Sequence, residues 1–224
     1  MAGTAAAVGL LAAVAFSSPT HAVSFTLAQL DAGADFEAGG LRFDNFVFDS
    51  VGSRNVDPSL INITSVESGL LAGITVSGGM SGDLTLQFDY TVTAVGADEI
   101  SSALIWLTDF DAVGVDWEIA GSLSEDGDAF RDLEFFVDPL STLLVDADTI
   151  IPFASHLELR SELKQDLGLG ESAVQDLGLE GVTTGAYTNL FRVGGVPEPT
   201  TAALLGLGLA GLGLVGRREK GAAS

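Results

Sequence analysis

An all-β chain, folded as an antiparallel β-sandwich of jelly-roll type, is the fold class that this sequence predicts. Three observations predict it. Apolar and polar residues alternate through many short runs, glycine-rich turns separate those runs, and no helical period persists within the body of the chain. The 224 residues, with 28 glycines and 6 prolines, suit one such domain flanked by targeting segments.

Taken in order, residues 1–22 read as a signal peptide. Ala5 to Phe16 is an apolar run of small residues and leucine, broken by Ser17, Ser18 and Pro19. Thr20-His21-Ala22 then places small residues at the two positions that signal peptidase reads, so cleavage is expected between Ala22 and Val23. The lysine or arginine usual near the start of such a segment is missing.

Residues 23–195 form the predicted secreted domain. Ala28 to Gly40 reads as a loop or irregular edge, and Leu41 to Phe48 as the first clear strand, with a parity shift near Asn45 that signals a β-bulge. Gly52 to Pro58 reads as a turn, Leu60 to Val66 and Leu70 to Val76 as short strands, and Ser77 to Gly82 as a loop. Asp83 to Ala94 alternates strictly: Leu84, Leu86, Phe88, Tyr90, Val92 and Ala94 share one parity, and Thr85, Gln87, Asp89, Thr91 and Thr93 the other. That pattern puts one face on a core and the other in water. Ser102 to Thr108 is apolar on both faces, as a strand inside a sandwich would be. Further strands are expected at Gly114 to Ala120, Asp132 to Val137 and Ser141 to Val145.

Leu157 to Leu169 could pass for a helix, but its leucines fall on odd positions and its charged residues on even ones, so a strand or strand pair fits better. Gln165-Asp166-Leu167-Gly168-Leu169 recurs as Gln175-Asp176-Leu177-Gly178-Leu179, which suits a hairpin with like arms and is too few copies for a solenoid. Tyr187 to Val193 is the last expected strand.

Residues 196–220 have three parts: Pro197-Glu198-Pro199, an uncharged apolar run from Thr201 to Gly216, and the basic residues Arg217, Arg218 and Lys220. The apolar run partitions into hydrocarbon as a transmembrane helix, and the cations stay at the cytoplasmic interface. The run is short against the ~20 residues of a usual span, and snorkelling Arg and Lys side chains recover part of the deficit. The prolines hold the preceding segment extended. In these three parts and their order, the tail resembles the PEP-CTERM sorting signal of Gram-negative bacteria. The resemblance implies recognition by an exosortase, cleavage near Pro197-Glu198-Pro199 and delivery to the cell surface or the extracellular polysaccharide matrix. It implies that Glu198 is read by the enzyme and that Arg217 and Arg218 set the depth of the site. Glu219 interrupts the basic cluster, a mild departure from the pattern. An unprocessed C-terminal anchor is the plainer alternative.

The charge bounds the partners. The formal net charge is −22 at pH 7. Only two of the 31 acids, Glu198 and Glu219, lie beyond residue 195, against three of the nine bases, so the body is more acidic than the whole. Such a field repels nucleic acid and anionic lipid. Cysteine is absent, which excludes disulfides and thiol chemistry. With the signal removed, His156 is the only histidine, and no Gly-x-Ser-x-Gly elbow or phosphate loop is present. His156 reads as an exposed strand-end residue, and the chain as a non-enzyme.

Three acidic clusters are candidate calcium sites. Asp109, Asp111 and Asp116 begin like an EF-hand loop with Gly114 at the sixth position, but Val113 and Ala120 stand where ligands are wanted. Glu125, Asp126 and Asp128 form the second cluster, and Asp146 and Asp148 the third. Solvated turn carboxylates are the competing reading, and the first two clusters are the favoured ones. No other cofactor is expected. Trp106 and Trp117 alternate in phase with core positions, so burial is expected over a sugar-stacking role.

The sequence therefore points to an exported protein. It is anchored transiently in the inner membrane and then moved to the cell surface or beyond, with a structural or adhesive role in exopolysaccharide or biofilm. Its partners would be signal peptidase, exosortase, the inner membrane and exopolysaccharide. A carbohydrate-binding module, calcium-dependent or not, is the competing class. A glycosidase, or a membrane-tethered periplasmic domain, is a weaker one.

Overall fold

The computed structural model describes residues 22–96, 98–112, 117–126, 129–166 and 183–195. The described chain is all-β, with two antiparallel sheets and one short helix. Its elements in order are β1 (Ser24–Thr26), α1 (Leu27–Asp31), β2 (Phe36–Ala38), β3 (Leu41–Phe48), β4 (Asn62–Ser68), β5 (Leu71–Ser77), β6 (Leu84–Ala94), β7 (Asp98–Asp111), β8 (Glu118–Glu125), β9 (Leu133–Val137), β10 (Thr142–Leu143), β11 (Val145–Ala154), β12 (His156–Asp166) and β13 (Thr183–Gly195). One sheet runs β1-β4-β5-β13-β7-β11 and the other β10-β9-β8-β12-β6-β3-β2. From β5 onward the chain crosses repeatedly between the sheets, so β6 and β7, neighbours in sequence, lie in different layers.

Alternation explains the core. In β6, Leu84, Leu86, Phe88, Tyr90 and Val92 are buried, while Thr85, Gln87, Asp89 and Thr93 look outward. In β12, Leu157, Leu159 and Leu163 are buried and Glu158, Arg160 and Lys164 are on the other face. The inward faces of both sheets share one cluster, in which Phe43 of β3 meets Phe191 of β13 at a ring-centroid distance of 6.3 Å. Phe36 stacks on Phe43 at 5.1 Å, and Phe46 on Tyr90 at 5.4 Å. Each such side chain removed from water contributes roughly 1.5–3 kcal/mol. Gly121 of β8 is required by this packing, because a Cβ there would overlap the Phe135 ring.

The structure departs from the sequence reading at several places. Ala28 to Gly40 holds α1 and β2. Thr26 and Gln29 form a capping box around a single turn that buries Leu27 and Leu30. The strand expected over Ser102 to Thr108 extends to Asp98–Asp111, and on it Ile105 and Leu107 are buried while Leu104 and Trp106 are only half-buried. The strand expected at Ser141 to Val145 is divided between β10 and β11, and β11 continues to Ala154. The bulge near Asn45 is present as a register shift between Asp44 and Val47. Leu157 to Asp166 lies within one long strand, whereas Leu167 to Leu169 and the second copy of the repeat lie outside the described residues, as do residues 1–21 and the tail from residue 196.

Candidate functional site

The solvent face of the seven-stranded sheet carries a dense array of hydrogen-bonding side chains, and strand register sets them in rows. Arg42, Thr93 and His156 form one row; Asp44, Thr91 and Glu158 the next; Val47, Asp89, Arg160 and Ser124 a third. In the third row the Arg160 guanidinium donates to Asp89 through Nε at 2.8 Å and Nη2 at 3.1 Å. The Asp89 hydrogen bond and charge raise the Arg160 pKa. Both side chains are about half exposed, so the pair contributes at most about 1 kcal/mol of stability. Its chief effect is to hold two polar heads in a fixed bidentate plane. In the first row His156 Nδ1 lies 3.0 Å from Thr93 Oγ1, and its Nε2 lies 3.7 Å from a Glu158 oxygen. This is the exposed strand-end position expected of it.

Between the second and third rows the face dips into a groove of about 470 Å³. One wall is the β3 bulge. Asn45 adopts φ 53°, a left-handed conformation that asparagine tolerates better than most residues, and donates from Nδ2 to Thr91 Oγ1 at 3.4 Å. The opposite wall is the end of β8, with Ser124, Glu125 and Asp126. The Asp126 amide donates to the Glu158 carbonyl at 3.2 Å, and the Glu125 carboxylate accepts from the Ala129 amide at 2.7 Å. Tyr90 and Leu159 lie in the floor and are only 2% and 3% exposed, being turned into the core.

A second polar set is enclosed between the sheets. Asn189 of β13 donates to Tyr90 Oη at 3.1 Å and to Ser161 Oγ at 3.2 Å, and Ser161 Oγ lies 3.1 Å from Tyr187 Oη. Burial raises the pKa of both tyrosines well above the usual phenol value, so both stay protonated at neutral pH. Among the described residues, Asn189 Oδ1 is a buried oxygen with no hydrogen-bond partner. Gln165 ties the layers nearby, with Nε2 donating to the Gly82 carbonyl at 3.0 Å and Oε1 accepting from the Thr184 amide at 2.8 Å.

The candidate calcium residues among the described ones lie in different parts of the fold. Asp109 and Asp111 lie on β7, so the loop expected to begin at Asp109 is strand for its first three residues. The alternation that buries Ile105 and Leu107 ends there, and Thr108 to Asp111 are all exposed. Asp126 stands in the groove wall, and Asp116 and Asp128 lie outside the described residues. In the third cluster, Arg131 donates to both oxygens of Asp146, at 2.7 Å and 2.5 Å, and its amide donates to Asp148 at 3.1 Å. Burial alone would raise the Asp146 pKa, but the Arg131 hydrogen bond and the amides of Glu134 and Ala147 outweigh it and the pKa falls. Among the described residues, no three carboxylates or histidines come together as a cation would require. Trp117 is half-buried, with its ring 6.3 Å from that of Phe110.

At the expected signal cleavage site, Ala22 is exposed and the Val23 amide donates to Ser65 Oγ at 2.9 Å. The Val23 carbonyl accepts from the Ser65 amide at 2.9 Å, so chain from Val23 onward is part of the fold. Among the described residues no helix is long and apolar enough to cross a membrane. Pro197, Glu198, Pro199, Arg217 and Arg218 lie outside them.

A family model for the PEP-CTERM protein-sorting motif matches residues 195–218. The chain carries a PEP-CTERM sorting motif. All five residues singled out in the tail fall within the match. The motif implies an exported protein that is processed by an exosortase. None of the curated proteins compared with the chain matches it. Among solved structures, one similar chain is described as TmCBM61 in complex with β-1,4-galactotriose. It has 11% identity and a TM-score of 0.26, over 69% of this chain and 88% of that one. Another is the enzymatically active domain of tailspike protein 4 of bacteriophage CBA120, with 10% identity and a TM-score of 0.28, over 68% of this chain and 19% of that one. Likenesses this distant assign no ligand or activity.

The sequence alone did not single out the groove residues Asn45, Asp89 and Arg160. The parity shift at Asn45 was a readable signal for the wall, but nothing in the sequence said what that wall would face.

Proposed function

We propose that this is a non-enzymatic, exosortase-sorted protein of the cell surface or extracellular matrix, with a structural or adhesive role in exopolysaccharide or biofilm. The PEP-CTERM motif at residues 195–218 is the observation that carries this reading. The order of parts supplies the mechanism. An N-terminal signal would start export and a C-terminal apolar segment would arrest it, with Arg217 and Arg218 on the cytoplasmic side. Cleavage near Pro197-Glu198-Pro199 would then release the body from the membrane. The body fits a passive role after release, because its acidity keeps it soluble and its fold needs no disulfide. We class the body as a jelly roll: β5-β13-β7-β11 opposite β6-β12-β8-β9 has the interleaving of two Greek keys.

The test is the intact mass and location of the mature protein in its native host, beside a variant with Pro197, Glu198 and Pro199 changed to alanine. The expected wild type begins at Val23, ends near the triplet and lies outside the cell, while the variant stays in the inner membrane. If both retain the tail through Ser224 and both stay in the inner membrane, the protein is a membrane-tethered domain and the sorting reading fails.

A further inference from the structure

The groove on the solvent face of the seven-stranded sheet has a chemistry that restricts what can enter it. Its volume of about 470 Å³ is within the range of ligand sites, roughly 300–1,000 Å³. Its lining is unlike that of an apolar pocket. The two apolar residues in its floor, Tyr90 and Leu159, face the core, leaving an amide, hydroxyls, carboxylates and one guanidinium to meet a ligand.

Several ligand classes are excluded in turn. A β-strand peptide cannot add here, because the groove lies over β3, β6, β12 and β8, whose backbones are already paired with one another in mid-sheet. Among the described residues, no three acidic groups stand close enough together to hold a divalent cation. An anion meets Asp89, Glu125, Asp126 and Glu158 against Arg160 as the single cation in the lining, and Arg160 is already held by Asp89. What fits is a chain of hydroxyls, each able to donate to a carboxylate and accept from an amide or guanidinium.

The geometry is also prepared for such a ligand. Asp89 and Arg160 fix each other in one plane, and the Asn45 amide is held over Thr91 by a bulge in the left-handed region. Bulges are used next to sites to re-aim a side chain. We propose that this groove binds a hydroxyl-rich glycan chain, uncharged or amine-bearing, through Asn45, Asp89, Glu158 and Arg160. Recognition is by hydrogen bonds to sugar edges and not by ring stacking, since no exposed aromatic lines the groove. The proposal does not depend on the sorting reading: binding is read on purified protein, sorting in the cell, and either can fail alone.

The experiment is a glycan array carrying neutral, amine-bearing and uronate-bearing oligosaccharides, probed with the full chain in mild detergent. Three variants accompany the wild type. Asn45→Gly removes the amide while keeping the left-handed backbone. Glu158→Gln removes a charge and an acceptor, and Lys164→Ala alters the same face outside the groove. Circular dichroism and thermal midpoints establish that all are folded. The expected result is binding confined to neutral and amine-bearing chains. Titration of the best binder should then show it weakened about threefold to tenfold by Asn45→Gly and by Glu158→Gln, the loss expected for one hydrogen bond, and unchanged by Lys164→Ala. Binding to none of the three classes, binding confined to uronates, or binding that survives both groove variants in folded protein overturns the proposal.

Discussion

The polar set enclosed between the sheets offers a sharp energetic test, because its members are few and their partners are known. Tyr90→Phe deletes the acceptor of one Asn189 N–H and strands that proton in the core, a cost of about 1–3 kcal/mol. Asn189→Leu deletes two hydrogen bonds and leaves Tyr90 Oη without its Asn189 partner, but it also removes an oxygen that is unpaired among the described residues. Its cost is again about 1–3 kcal/mol. Ser161 keeps Tyr187 in either case. When both substitutions are made, the polar pair disappears together, so the double variant should lose no more than the worse single one. The two changes should therefore couple by about 1–3 kcal/mol. Urea denaturation of wild type, both singles and the double measures this directly, with thermal midpoints moving about 2–4 °C per kcal/mol for a domain of this size. Effects that add to within ~0.5 kcal/mol would falsify the claim that Asn189 and Tyr90 are partners in a closed site.

Two further outcomes concern the edges of this framework. Arg131→Ala should lower stability at pH 7 slightly, since it leaves the largely covered Asp146 carboxylate without its exposed guanidinium partner. The Asp146 pKa is depressed in the folded state. The contribution of its pairing is thus present above the unfolded carboxylate value, about 3.9, and lost as pH falls through the folded value. The difference from wild type should shrink in acid, and a difference independent of pH between 2 and 7 would refute this account. Gly121→Ala should destabilise by about 1–3 kcal/mol through overpacking against Phe135, and a neutral result in chemical denaturation would mean that the Phe135 ring yields freely.

Legibility in the sequence followed the range of the interaction. β6 and β12 were readable because burial on one face imposes period two on consecutive residues, as Leu84 to Val92 and Leu157 to Leu163 display. The bulge was readable because it broke that period at Asn45. The capping box at Thr26 and Gln29 could have revealed α1, but a five-residue helix is too short to show a helical period. β11 was harder to see, because the sequence places a proline at position 152 and its pairing with β7 shifts register between Thr149 and Ala154. The groove was illegible for a different reason. Asp89 and Arg160 are 71 residues apart, and only the register of β6 on β12 brings them together. Tyr90 and Asn189, 99 residues apart, are the same case inside the core: the parity of Tyr90 announced burial and gave no sign of a polar partner. The sorting motif in the tail was readable because its grammar is local, and its match at residues 195–218 needs no folded neighbour.

The position of the last strand has a consequence for the order of events during export. β13 lies between β5 and β7, so until it arrives the six-stranded sheet exists as two fragments with open inner edges. Those edges are closed by residues 183–195, which emerge immediately before the motif that begins at residue 195. Under the proposed sorting, the body would complete itself only as translocation halts. A chain severed ahead of residue 183 would lose β13, and both sheet fragments would keep an open edge, an invitation to aggregate. Under the proposed sorting, arrest at the membrane would give the newly arrived chain time for its final segment to slot into place before cleavage.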